Sequence, residues 1–167
     1  KGSTWEGGFR VPTIAWMPGR VPKNKIFNGV GSTLDLLPTF MSMAGINYEE
    51  ETFDGRDISS SFFLEKELSH PIFYYKQQEL IAMRNGAWKV FIKNPNPRYK
   101  GLTKEDFPIL FNLDEDPSEQ YNLAKKNPDI IERMVEEVNL HIENNLLKPS
   151  LIDSIAPAYQ AVFDQYN

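Results

Sequence analysis

The sequence predicts the end of an α/β domain (residues 1–66) followed by a small α+β subdomain (residues 67–167) built from about four antiparallel strands and one long helix. Two observations carry the second part. Between residues 71 and 113, short aromatic and β-branched runs are separated by turn signals, and between 128 and 142 apolar residues recur at helical spacing. A third observation, a strand-like run followed by an amphipathic stretch between residues 9 and 45, marks the first part.

In chain order, FRVPTIAWM (residues 9–17) reads as a short buried strand closed by a turn at Pro18-Gly19. STLDLLPTFMSMAGI then predicts a helix, with Ser32 or Thr33 as N-cap, Leu34, Leu37, Met41 and Ala44 on one face and Gly45 as the stop. FDGRD suggests a turn at Asp54-Gly55. PIFYY and ELIAMR read as strands, and Asn85-Gly86 before AWKVFIK predicts a hairpin over 79–93 with a type I′ turn. The Pro- and Lys-containing connection KNPNPRYKGLTKEDF leads to a further strand, PILFNL. Asn127-Pro128-Asp129 is a helix entry with a capping side chain, proline at the first position and an acid near the positive dipole end. Ile131, Met134, Val135, Val138 and Ile142 are expected to line the buried face of that helix, and the aromatic tail from Pro149 is expected to wrap back over the body.

Composition narrows the function classes. A net charge of -5 argues against a nucleic-acid binder, which needs a concentrated basic face. With no cysteine, the chain offers neither disulfide, thiolate metal site nor cysteine nucleophile. No apolar run is long enough to span a bilayer, and the residues alone leave localisation open.

The densest chemistry lies in KGSTWEGGFRVP, residues 1–12. Lys1 with Ser3 makes a poor nucleophile dyad and a poor phosphate loop, because the glycine follows the lysine instead of preceding it. Glu6 and Arg10, separated by Gly7-Gly8, are read as a loop-stiffening ion pair. His141 has no ligand partner at helical spacing and is read as a packed or surface histidine; His70, before Pro71, is a candidate substrate contact. Asp114, Glu115 and Asp116 have the wrong spacing for a calcium loop and are read as a turn. In the 93–104 connection, Arg98 and Tyr99 are candidates for gripping an anionic substrate, the tyrosine offering a flat face to a sugar or aryl ring, beside the plainer reading of a solvated loop guarding an edge strand.

Several of these stretches, in this order, resemble one family. KGSTWEGGFRVP resembles the second signature of the formylglycine-dependent (type I) sulfatases, a lysine followed by G-[ST]-[ST], E-G-G and an arginine. FDGRDI is similar to the family's D-G-x-[DS]-[LI] turn, AMRNGAWKVFI to its R-x-G-x-[WY]-K hairpin, and FNLDEDPSEQYNLA to its D-P-x-E-x-x-N-L element. The resemblance implies an alkaline-phosphatase-like α/β fold with a smaller C-terminal subdomain. It also implies hydrolysis of sulfate esters, with a sulfated carbohydrate as expected substrate, by a formylglycine in a C-x-P-x-R motif beside a calcium ion. In that scheme the lysine matching Lys1 contacts the sulfate.

Because the C-x-P-x-R motif and the N-terminal metal-binding acids are absent, the chain is expected to be a C-terminal portion, inert alone, holding no calcium itself, and partnered by the upstream part of the same protein. The resemblance favours a periplasmic, secreted or lysosomal location. The rival expectations are a phosphate or phosphonate monoester hydrolase of the same superfamily and a non-catalytic glycan-binding relative.

Overall fold

The computed structural model describes residues 3–64, 68, 70–76, 78–95 and 101–145. Its centre is a four-stranded antiparallel meander in the order β1-β2-β3-β4, with β1 at Ile72–Lys76, β2 at Glu79–Asn85, β3 at Trp88–Phe91 and β4 at Ile109–Asn112. A 17-residue helix, Pro128–Asn144, covers one face. Three shorter helices precede the sheet: α1 at Glu6–Phe9, α2 at Leu36–Met43 and α3 at Ser59–Leu64; the long helix is α4.

Strand alternation sorts the core into two layers. Leu80, Met83, Val90 and Leu110 pack beneath Met134 and Val138 of α4, while Ile81, Phe91, Ile109 and Phe111 face the opposite side and receive Trp5. A bulge shifts the β1–β2 register between Tyr74 and Tyr75, so that Tyr74 opposes Ala82 and Tyr75 opposes Leu80. Ile81, skipped by the pairing, therefore joins Ala82 on the Trp5 side.

The four predicted strands and the long helix are present, with three local differences. The hairpin loop is Gly86-Ala87, since Asn85 pairs with Trp88. Only Gly86 has positive φ (59°), the pattern of a type II′ turn, so the predicted type I′ turn is displaced by one residue. Helix α4 begins at Pro128, but the Asn127 amide donates to the Leu123 carbonyl at 3.0 Å instead of capping the helix. On α4, His141 and not Ile142 continues the buried face: its ring stacks on Phe73 at 3.5 Å, while Ile142 is exposed. The 134, 138, 141 sequence keeps the 3.6-residue period that 142 oversteps.

A fourth difference lies in the first part. Residues 11–17 form no strand; Ile14 is 92% and Trp16 83% exposed, and no described strand pairs with the segment. A strand persists only where a neighbour takes its backbone groups. The turn after it does form, with Arg20 N–H donating to the Met17 carbonyl at 3.1 Å. Helix α2 also forms, its entry built by a reciprocal Ser32/Asp35 capping box, yet its expected apolar face at Leu34 and Leu37 is exposed while Asp35, Pro38 and Thr39 are buried. The tail from Pro149 lies outside the described residues.

Candidate functional site

The site is a buried ionic cluster on the sheet face opposite α4. Lys89 and Arg84 are directly cross-strand partners on β3 and β2, and both side chains point toward α1. Two like charges side by side on a sheet repel unless an acid lies between them. Glu6 supplies it: Oε1 accepts from Lys89 Nζ at 2.8 Å and Oε2 from Arg84 Nη1 at 3.2 Å, with the Tyr74 hydroxyl donating to Oε1 at 3.4 Å.

Lys89 is 0% exposed, so its ammonium must find all its partners inside the protein. It donates to the Thr4 carbonyl and to Glu6, each at 2.8 Å, and forms an ion pair with Glu119 Oε1 at 2.9 Å that lacks the alignment of a hydrogen bond. The Tyr74 and Phe91 rings flank it at 4.4 and 4.9 Å, giving the cation two π faces.

Glu119 closes the cluster. Its Oε2 accepts the Glu6 amide at 2.6 Å, which ties the first turn of α1 to the loop after β4. The residue holds φ at 55°, a left-handed conformation uncommon outside glycine and asparagine, and that backbone turns its carboxylate inward. Asp116 shapes the same loop by accepting the Gln120 and Tyr121 amides at 2.7 and 2.8 Å. Burial raises the Glu119 carboxyl above its ordinary value, and Lys89 only partly opposes it. Burial and the neighbouring Glu6 carboxylate likewise push the Tyr74 hydroxyl far above its ordinary value, so it remains a donor.

The glycines of the E-G-G stretch serve this packing. A Cβ on Gly8 would collide with the Ser3 carbonyl oxygen, so only glycine lets the turn fold back on the segment leading into it. Trp5 seats between the two ends, its indole 4.5 Å from Phe91 and 5.9 Å from Phe111.

The predicted Glu6–Arg10 ion pair is not formed, because Glu6 is committed to Lys89 and Arg84 inside the protein and Arg10 is exposed. His70 lies just before β1, its Nε2 3.4 Å from Asp35 Oδ1 and its side chain only 10% exposed. Asp35 is fully buried; burial acts to raise its carboxyl, but the His70 ring and the Arg56 and Ser32 amides outweigh that and hold it below its ordinary value. Lys1, Arg98 and Tyr99 lie outside the described residues. Among the described residues no group of three acids or histidines is placed to hold a metal ion, and Asp116 is consumed by backbone amides. These residues therefore do not fit calcium.

Spacing along the chain pointed to Arg10 as the partner of Glu6 and missed Arg84, Lys89 and Glu119. The signal that finds them is the set of motif resemblances themselves. The acid of E-G-G, the arginine and lysine of R-x-G-x-W-K and the acid of D-P-x-E are the four charges that meet here.

A four-stranded meander under one long helix, with this cluster binding an E-G-G turn to it, defines the C-terminal subdomain of a sulfatase-type hydrolase fold. Residues 67–161 match the family described as the C-terminal region of aryl-sulfatase, and the chain belongs to the sulfatase family. It is 30% identical to N-acetylgalactosamine-6-sulfatase of Canis lupus familiaris, over 84% of this chain and 32% of that protein. Arylsulfatase G of Rattus norvegicus is 32% identical, over 77% and 27%. Among solved structures, Ps i-CgsB is 33% identical with a TM-score of 0.64, over 83% of this chain and 30% of that one. Its complex with k-i-k-neocarrahexaose aligns over 99% and 37%, at 29% identity and a TM-score of 0.68. The chain thus spans about a third of the length of these relatives.

Proposed function

We propose that this chain is the C-terminal part of an enzyme that hydrolyses sulfate esters of a sulfated carbohydrate. The observation that carries the reading is that the E-G-G stretch of KGSTWEGGFRVP is bound through Thr4 and Glu6 to a subdomain that matches the sulfatase family. The carbohydrate is supported by relatives named for N-acetylgalactosamine-6-sulfate chemistry and by a relative solved with a neocarrahexaose.

In this reading Lys1 contacts the sulfuryl group and stabilises the negative charge that redistributes over its oxygens as the ester bond breaks. Arg98 and Tyr99, in the sequence between β3 and β4, would meet the sugar in this reading, the arginine through a second anionic group and the tyrosine through its ring face. His70, paired with the buried Asp35, is the remaining candidate for a substrate contact. In this reading a formylglycine would supply the nucleophile and calcium would supply charge neutralisation, both from other segments of the complete protein.

The test is sulfate release from sulfated oligosaccharides by the complete protein, measured by ion chromatography, with matched phosphate esters run in parallel. Sulfate release that falls about 100-fold in Lys1→Ala is expected. Phosphate release without sulfate release, or oligosaccharide binding with no product, sinks the reading. Residues 1–167 alone are expected to release nothing.

A further inference from the structure

We infer that Lys89 and Glu119 are positioning residues for the segment that carries Lys1; this rests on the function proposed above. Neither residue faces the outside, and Lys89 sits on a strand whose neighbours form the subdomain core. Their contacts with the segment are of an unusual kind for packing. Lys89 Nζ holds the carbonyl of Thr4 and the carboxylate of Glu6, and Glu119 Oε2 holds the amide of Glu6. The main chain is therefore gripped on both sides of residue 5, by charge-assisted bonds of 2.6 and 2.8 Å. Such bonds fix direction as well as distance.

A cluster kept only for stability has no need of this form. Buried ion pairs are poor stabilisers, and well-packed apolar residues of similar volume do as well or better. What apolar residues cannot do is aim a carbonyl. The Thr4 carbonyl is three residues from Lys1 in sequence, and Gly8 folds onto Ser3, the residue before Thr4. The left-handed backbone at Glu119 adds a local penalty to the same grip, the kind of strain that is held where placement matters. Displacing a charge-stabilising lysine by about 1 Å is enough to lower a rate about 100-fold.

The test is a double-mutant cycle in the complete protein, read as kcat/KM for sulfate release. Lys89→Met is expected to lower kcat/KM about 10- to 100-fold, and to add nothing when Lys1 is already alanine, because both changes remove one effect. Additive losses overturn the inference, since a residue that merely supports folding acts whether or not Lys1 is present. Should Lys89→Met fail to fold, Glu119→Gln, which keeps an acceptor for the Glu6 amide, carries the same cycle with the same criterion.

If Lys1→Ala is as active as wild type, Lys89 has nothing to act through and the inference falls. If the wild-type protein releases no sulfate, the functional reading fails. Hydrogen exchange at the Gly8, Phe9 and Arg10 amides, which are bonded to the Trp5 and Glu6 carbonyls, then decides the positioning by itself. Protection lost there in Lys89→Met while the β2–β3 amides keep theirs sustains it; protection unchanged, or lost across the sheet as well, overturns it.

Discussion

Replacing Lys89 by methionine leaves a buried site with one cation, Arg84, and two carboxylates, Glu6 and Glu119. Breaking a buried pair by removing one partner costs about 3–5 kcal/mol, because the surviving charge is left without compensation. Here the size of the loss depends on pH. Burial already raises the Glu119 carboxyl above its ordinary 4.5, and Lys89 is the main group that opposes that rise. Without Lys89 only the Glu6 amide still opposes it, and the folded variant keeps a proton that the unfolded chain gives up. Stability of the variant is then highest near and below the unfolded value of 4.5 and falls as pH climbs through the folded value, by about 1.4 kcal/mol for each unit separating the two. Urea unfolding of the complete protein from pH 5 to 8 should show the gap between wild type and Lys89→Met widening with pH. Adding Glu119→Gln should recover about 1–3 kcal/mol at pH 8, since it leaves Arg84 and Glu6 as a balanced pair. A gap of constant size across that range, or a double variant no better than Lys89→Met alone, refutes the assignment of Glu119 as the strained charge.

Gly8→Ala should lower the thermal midpoint, equivalent to about 1–3 kcal/mol, because the new Cβ meets the Ser3 backbone, which has no rotamer through which to move away. Asp35→Asn should cost about 1.5–3 kcal/mol in urea unfolding through weakened bonds from the Ser32 and Arg56 amides and His70. Asp35 is held below its ordinary 3.8, so its contribution is complete above that pH and disappears as pH falls through the folded value; the Asn variant should lack this acid limb. Burial lowers the His141 imidazole below its ordinary 6.5, and the Asn145 amide pointing at Nδ1 at 3.1 Å favours the neutral ring. Wild type should therefore lose stability as pH falls below 6.5, while His141→Phe, which keeps the stack on Phe73, should lose less over the same interval.

The parts of the fold that were legible in the sequence are those whose stability is local. The β2–β3 hairpin announces itself by a glycine between two strand-like runs, and α4 by proline at its first position and a 3.6-residue apolar period. The segment 9–17 has strand composition as well, but composition cannot supply the neighbour that a strand requires, and Val11, Ile14 and Trp16 remain exposed. Reading Glu6 with Arg10 followed the same logic of nearness. Its true partners are 78, 83 and 113 residues away, and nothing in the local pattern distinguishes a lysine on the inner face of β3 from one in water. The motif resemblance placed the right letters on the page without showing that they touch.

The grip on Glu6 also bears on how the chain is made. A ribosome adds about 5–20 residues per second, so the 113 residues between Glu6 and Glu119 take roughly 6 to 23 s to synthesise. Throughout that interval the Glu6 amide lacks its Glu119 partner. The β2–β3 hairpin, whose partners are close in sequence, can form earlier, but doing so sets Arg84 and Lys89 side by side with Glu6 as the one acid of the cluster yet made. Only the arrival of the loop after β4 lets all four charges enter together. The first-made of the four charges is in this way the last to be fully fastened, and translation past Glu119 becomes the event that completes its anchoring.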